Sequence, residues 1–327
     1  MSRGLRTWLC SLGVLVAGGC GAGQLPTLPG PADTGLLGPS SHRAVAAAGS
    51  EVPARPGPGQ AVAIDPSLFV PGACVAFPPT DGNRGLTVLL DPGHGGPDPG
   101  TSGTTVSGAT VLEKTVTLAV VDQVVPILRQ EGFRVVVSRT TDSSVHRLGP
   151  GDMSGGLLTV QGERADNTAR AQCADLAQAE VLISVHFNAG ASPNDAGCLS
   201  IYDASRTFWR QSQSLATDLQ RSLMQDLNSQ GWAIPNDGVV TDANIGGAAP
   251  SAADALYGHL IVIGPRSAGY LDQPSTMPGA VVEPLFLSDP FEASVADSTL
   301  GQRVVAEAIA AGVASYLPPT GSVSAGS

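Results

Sequence analysis

From residue 86 onward the chain alternates short apolar runs with stretches whose apolar residues recur every three or four positions. That alternation confines it to the α/β class, in which strands feed helices that cover a sheet. Leu86 to Leu90 reads as a buried strand, and Leu112, Val116, Val120, Val124 and Leu128 fall on one helical stripe that Gly132 can stop. Arg134 to Val137 reads as the second strand. Residues 164 to 179 read as a helix leading into a strand at Val181 to Val185, followed by a strand at Leu199 to Tyr202. Leu215, Leu219, Leu223 and Leu227 mark another helix, ended near Gly231. Ala280 to Leu285 is a late strand, and Val305, Ile309, Val313 and Tyr316 mark a closing helix before Pro318 and Pro319. Two Gly-, Asp- and Ser-rich stretches, roughly 141–162 and 233–258, read as long loops, which in a compact domain are usually functional or mobile.

The N-terminal region obeys different rules. Arg3 and Arg6 precede an apolar run from Trp8 to Val16, and Ala17, Gly18 and Gly19 lead into Cys20, a signal-peptide pattern over residues 1–19. The run is too short for an ordinary membrane-spanning helix. Small residues directly before a cysteine resemble the bacterial lipoprotein signal, so Cys20 is expected to carry a lipid anchor; cleavage at an ordinary nearby site is the alternative. Both place the working protein outside the cytoplasm. Residues 20–80, with eleven prolines from Gly21 to Thr80 and no helical or strand period, read as a tether. Residues 85–318 are expected to form the single folded domain and 319–327 a disordered tail.

Cys10 leaves with the signal. If Cys20 is lipidated, Cys74, Cys173 and Cys198 remain, and export permits one disulfide among their three possible pairings. The formal net charge is -11 and Lys114 is the only lysine, so the basic footprint of a nucleic-acid binder is absent. A hydrophobic content of 42% excludes a wholly disordered acidic chain.

Polar residues gather where strands end. The first strand runs into Asp91-Pro92-Gly93-His94-Gly95-Gly96, which places a histidine on a glycine-rich loop at a strand's C-terminal edge, where open α/β sheets bind ligands. Glu113 opens the next helix, and His186 ends the strand at Val185. Two histidines and a carboxylate from separate elements match the His₂Glu set that holds a catalytic zinc with one open position. Read singly, each residue has a plainer explanation: a strand-end histidine is more often structural, and an acid at a helix start is favoured by the dipole. Glu283, within Met277 to Phe286, is a carboxylate in an apolar strand, costly unless paired or functional.

Together these segments resemble one family, the zinc-dependent N-acetylmuramoyl-L-alanine amidases (amidase type 3) that cut peptidoglycan. The matching segments are Val88 to Gly96, Glu113-Lys114, Ser138-Arg139-Thr140 with Asp142, Ile183 to Ala189, and Met277 through Glu283 to Ser288, in the family's order. The resemblance implies a mixed, largely six-stranded sheet flanked by helices, of the phosphorylase/hydrolase-like type. It also implies that His94, Glu113 and His186 bind Zn²⁺ and that Glu283 is the catalytic carboxylate. Asp91 or Asn188 could orient a ligand, and Arg170 and Asn188 are expected to contact substrate, a structural salt bridge being the alternative for Arg170. Three departures stand out: Pro284-Leu285 after the glutamate, where the family has a smaller non-proline pair, an insertion at about 143–163, and extra residues around 267–275.

The reading is therefore a lipid-anchored, monomeric zinc amidase whose partners are the peptidoglycan stem peptide and glycan. It hydrolyses the amide between N-acetylmuramic acid and L-alanine. Two rivals are a zinc peptidase cutting elsewhere in the stem peptide and a non-catalytic wall-binding lipoprotein. An intact Glu283 argues against the second, since a binding module needs no general base. The Gly and Ser content of 143–163 suggests a mobile flap near the cleft.

Overall fold

A computed structural model describes residues 61–244 and 250–319. The expected signal segment, Cys20 and residues 20–60 of the tether lie outside the described residues, as do residues 320–327 of the tail. No described helix is long and apolar enough to cross a membrane.

One eight-stranded sheet organises the domain. In chain order its strands are β1 (Val62–Ala63), β2 (Ala73–Phe77), β3 (Thr87–Pro92), β6 (Arg134–Arg139), β9 (Val181–Val185), β10 (Cys198–Tyr202), β11 (Asn236–Thr241) and β12 (Gly279–Glu283). Two short hairpins, β4 (Ser102–Thr104) with β5 (Thr110–Leu112) and β7 (Met153–Ser154) with β8 (Leu157–Leu158), stand outside it. The sheet order is β1-β2-β6-β3-β9-β12-β10-β11. The pairs β6/β3, β3/β9, β9/β12 and β10/β11 are parallel, whereas β1/β2, β2/β6 and β12/β10 are antiparallel.

The helices are α1 (Glu113–Gln130), α2 (Val160–Ala177), α3 (Trp209–Ser229), α4 (Ala252–Tyr257), α5 (Pro290–Asp297) and α6 (Thr299–Tyr316). Val88, Leu90, Val135, Val137, Ile183 and Val282 pack under α1, α3 and α6 on one face of the sheet. Leu89, Val136, Leu182 and Val281 pack under α2 and the 260–263 segment on the other. Strands covered on both faces need no polar alternation, which is why they read as continuous apolar runs.

The mixed α/β architecture is as expected, but the sheet has eight strands rather than six and the domain starts before residue 85. Residues 62–77, assigned to the tether, contribute β1 and β2. Pro71-Gly72 and Pro78-Pro79 bracket a five-residue run that looks like linker, yet it pairs antiparallel with β6. Cys74 on β2 is bonded to Cys173 on α2. That selects one pairing of the three, and Cys198 is buried and free. The 233–258 stretch is not a loop throughout: it contains β11, a polar edge strand with Gly238 at φ 81°, and the short helix α4. Helix α2 also starts four residues before the expected 164, because the Thr159 hydroxyl accepts from the Gly162 N–H and caps it.

Candidate active site

Alternation along the strands puts the functional side chains on one face at one edge. Asp91 follows Leu89 by two residues, Ser184 and His186 follow Leu182, and Glu283 follows Val281, so all project from the α2 face of the sheet. The His186 N–H donates to the Val282 carbonyl at 2.9 Å, which sets His186 beside Glu283 at the ends of neighbouring parallel strands.

After β3 the backbone turns sharply, with His94 at φ 61°. Gly93 must be glycine, because a Cβ there would lie 2.3 Å from His186 Cε1. The turn brings His94 Nε2 to 3.0 Å from Glu113 Oε1, which is also 3.0 Å from His186 Nδ1. The two histidine nitrogens are 3.1 Å apart. Ligands of a tetrahedral zinc with bonds of about 2.0–2.1 Å stand about 3.3 Å from one another, so the triangle fits that ion.

Two of the donors, His94 and Glu113, are held by partners. Asp98 Oδ2 lies 2.8 Å from His94 Nδ1, which fixes the ring with Nε2 towards the centre. The Phe187 N–H donates to Glu113 Oε1 and the Thr101 N–H to Oε2, at 3.0 and 2.8 Å. Burial opposes a charge on His94, but Glu113 and Asp98 overcome it and raise the imidazole to about 10. Burial pushes Glu113 up, and the two histidines reverse this and hold it below the usual carboxylate range. Glu283 goes the other way: burial raises its carboxyl well above the ordinary value, the charge of Glu113 adds to that, and His94 opposes it. Its Oε2 is buried without a hydrogen-bond partner among the described residues. Two carboxylates at one site whose proton affinities are driven apart suit two different roles.

Arg170 is corrected. It is 1% exposed and its guanidinium donates to Asp91, Asp166 and the carbonyls of Pro92 and His94, at 2.6 to 3.1 Å. It is the salt bridge of the alternative reading and holds the His94 turn in place, with no donor turned to a substrate. Asp91 completes this support: Ser138, Ser184 and Arg170 all donate to it. Asn188 stands half-buried beyond β9, its side-chain oxygen accepting from the Ala189 N–H. Pro284 ends the regular ladder here: from His186 to Asn188 one strand advances two residues while its neighbour's acceptors advance three, from Val282 to Leu285. Such bulges re-aim side chains beside active sites.

The 143–163 insertion does not line the space at His94 and His186. That space, only about 10 Å³, is bounded by Asn167 of α2 and by Ser251, Asp254, Leu260 and Val262. The cleft wall thus comes from the 250–262 segment, which polar composition and a short helix made illegible. A wider hollow, about 740 Å³, lies elsewhere, between the insertion's His146 and Asp152, Arg164 of α2, and Tyr270.

Residues 88–315 match the N-acetylmuramoyl-L-alanine amidase family. The chain belongs to that family and is a hydrolase of the amide joining N-acetylmuramic acid to L-alanine in peptidoglycan. It is 28% identical over 237 residues to the germination-specific N-acetylmuramoyl-L-alanine amidase of Bacillus subtilis (strain 168), covering 72% of this chain and 82% of that relative. To the amidase LytC of the same organism it is 27% identical over 232 residues, 71% of this chain but 36% of LytC. Among solved structures, an amidase from Clostridium difficile 630 is 25% identical with a TM-score of 0.50, covering 72% of this chain and 98% of that one. The CwlD amidase of Clostridioides difficile, solved in complex with the GerS lipoprotein, gives a TM-score of 0.53 at 23% identity over 71% of this chain and 98% of that one.

Proposed function

We propose that His94, Glu113 and His186 hold one zinc ion and that Glu283 is the general acid–base of the amidase reaction. The observation that carries this reading is the triangle of donor atoms, with Glu113 Oε1 at 3.0 Å from both histidine nitrogens. Two imidazole nitrogens and a carboxylate oxygen brought so close, with His94 and Glu113 each held by a partner behind, form a ligand set for a borderline cation. Zinc held there supplies Lewis acidity, making water a nucleophile near neutral pH and polarising the scissile carbonyl.

The chain's own residues do the rest. Glu283 takes the proton of the attacking water on its carboxylate and returns it to the amine of L-alanine as the carbon–nitrogen bond breaks. Its environment favours holding that proton in between. Arg170 and Asp91 keep the Pro92–His94 turn from moving, and Asp98 keeps the His94 ring aligned. Asn188, half-buried just beyond β9, is the residue expected to contact the substrate.

The test is product analysis by mass spectrometry of digested peptidoglycan, alongside metal content. The amidase releases peptides beginning with L-alanine and leaves glycan strands intact, whereas cleavage within the stem peptide would mean a peptidase. His94→Ala with His186→Ala should lower bound zinc by one per chain and abolish hydrolysis.

We further propose that the protein works as a monomer outside the cytoplasm, tethered by a lipid on Cys20. Cys20→Ala should then move it from the membrane fraction to the soluble one. A wild-type protein that is fully soluble and carries no lipid mass overturns the anchor.

A further inference from the structure

A second set of potential ligands lies away from the edge that carries Glu283. β10 and β11 are parallel and end together, with Tyr202 paired to Thr241, so the next residues, Asp203 and Asp242, stand side by side. β10 runs antiparallel to β12 and pairs Leu199 with Glu283. Asp203, four residues further on, is thus roughly 13 Å along the strand from that pairing at about 3.3 Å per residue. His259, after α4, closes the group: its Nδ1 is 2.9 Å from Asp203 Oδ2 and 3.2 Å from Asp242 Oδ2. One ligand atom from each of the three residues lies within 4.8 Å of the other two.

The two carboxylates are 1% and 2% exposed, and their hydrogen bonding is incomplete. Asp203 Oδ1 accepts from the Ser205 N–H, the Ser205 hydroxyl and the Arg206 N–H. Apart from the close approach of His259 Nδ1, its Oδ2 has no hydrogen-bond partner among the described residues, and neither has Asp242 Oδ1. Asp242 Oδ2 accepts from the Leu260 N–H. The neighbouring Arg206 guanidinium is directed at the carbonyls of Ile263, Gly264 and Ser275 instead of at these acids. Burial, and then the charge of Asp203, raise the Asp242 carboxyl to about 6. A buried acid pair with open oxygens requires a balancing positive charge: a proton, shared by the pair or carried by His259 between them, or a cation.

We propose that Asp203, Asp242 and His259 form a second divalent-cation site that pins the wall of the catalytic cleft. Two carboxylates and an imidazole select a first-row ion such as Zn²⁺ or Mn²⁺ over Ca²⁺ or Mg²⁺, which favour all-oxygen shells. Asp242 and His259 flank the stretch that supplies Ser251 and Asp254 to the cleft, and Asp242 already holds the backbone of Leu260, which also lines it. A cation joining both ends to Asp203 fixes that wall against the sheet.

The experiment is metal stoichiometry by elemental analysis on the full chain, stripped with chelator and dialysed against ZnCl₂ or, separately, MnCl₂, with thermal melts in parallel. Wild type should hold two zinc ions. His94→Ala with His186→Ala should hold one and still gain Tm on adding Zn²⁺. Adding His259→Gln, or Asp203→Asn with Asp242→Asn, should remove both the ion and the gain. A folded His94→Ala, His186→Ala protein that holds neither Zn²⁺ nor Mn²⁺ overturns the proposal and leaves the acid pair balanced by a proton, shared or on His259. An ion that survives His259→Gln together with both Asp→Asn changes overturns it as well, because it is bound elsewhere. If the aspartate variants do not fold, the stoichiometry of the His94→Ala, His186→Ala protein with and without His259→Gln decides the matter.

Discussion

Glu113 and Glu283 are 3% and 4% exposed, yet their surroundings pull them in opposite directions, and this is where the mechanism is most open to test. Glu113 is held ionised by two histidines, as a ligand must be; Glu283 sits where a proton is readily held. Glu113→Gln should therefore lose zinc and, with it, activity. Glu283→Gln should keep zinc and fold while kcat falls by about 10²–10⁴-fold, the usual contribution of a general acid–base. If Glu283→Gln loses its metal and Glu113→Gln keeps it, the roles are exchanged. Arg170 makes a contrasting prediction. Arg170→Met leaves Asp91 and Asp166 buried without their cation, which should cost about 3–5 kcal/mol in urea unfolding, and KM of the folded fraction should stay near wild type. A raised KM with unchanged stability would restore Arg170 to substrate binding. The four central residues stand at or near the ends of strands and helices, but read singly each has a plainer explanation, and only the segments taken together single them out. Asp98 was not legible: its role depends on how the Gly95–Gly100 turn folds back on His94, and nothing in Pro97-Asp98-Pro99 marks that return.

Among the elements, segments with a helical stripe or a continuous apolar run were read, and those without one, or bracketed by prolines as β2 is, were not. α1 and α6 follow the expected stripes, and β9 has the expected bounds. β2, β11 and α4 escaped because tertiary pairing, not local pattern, makes them: five residues between prolines, a polar edge, and six residues capped by Ser251. β2 matters most, since Cys74 ties it to α2 and hence to the helix that carries Arg170. The loop closed by the Cys74–Cys173 bond spans 99 positions, in the range where chain-entropy arguments place large effects. Replacing both cysteines with serine should lower stability by about 2–5 kcal/mol without changing zinc content, read from denaturant unfolding and elemental analysis. Zinc lost in step with the bond would mean that β2 supports the site directly. The 143–163 insertion belongs to this scale too. Because it borders the 740 Å³ hollow and not the cleft, deleting the β7–β8 hairpin should leave hydrolysis of a small muramoyl dipeptide unchanged. Comparison of that rate with the rate on intact peptidoglycan shows whether the hollow takes part in binding polymer.

At the scale of the whole molecule, the fold should not need a metal at the His94, Glu113 and His186 site. The sheet is buried on both faces by large apolar clusters, and the ligands sit at its edge. Without zinc, the site balances itself through a proton on His94 between Glu113 and Asp98. This has a pH signature whose sign is fixed. The His94 imidazole is raised in the folded state to about 10 from 6.5, so its stabilising contribution is complete below about 6.5 and drains away as pH rises towards 10. Glu113 is lowered, so its contribution is present above its ordinary 4.5 and is lost as pH falls. Stripped protein should consequently still unfold cooperatively, with a Tm that declines from pH 6.5 to pH 9. On the proposed ligand assignment zinc would take the place of the His94 proton, so loaded protein should decline less, and the gain in Tm on adding zinc should grow with pH. Calorimetry of stripped and loaded protein at the two pH values, repeated on His94→Asn, checks this: the variant should show no such growth. A gain that is constant or shrinks with pH in the wild type would mean that zinc displaces no proton from His94, and the ligand assignment would fall with it.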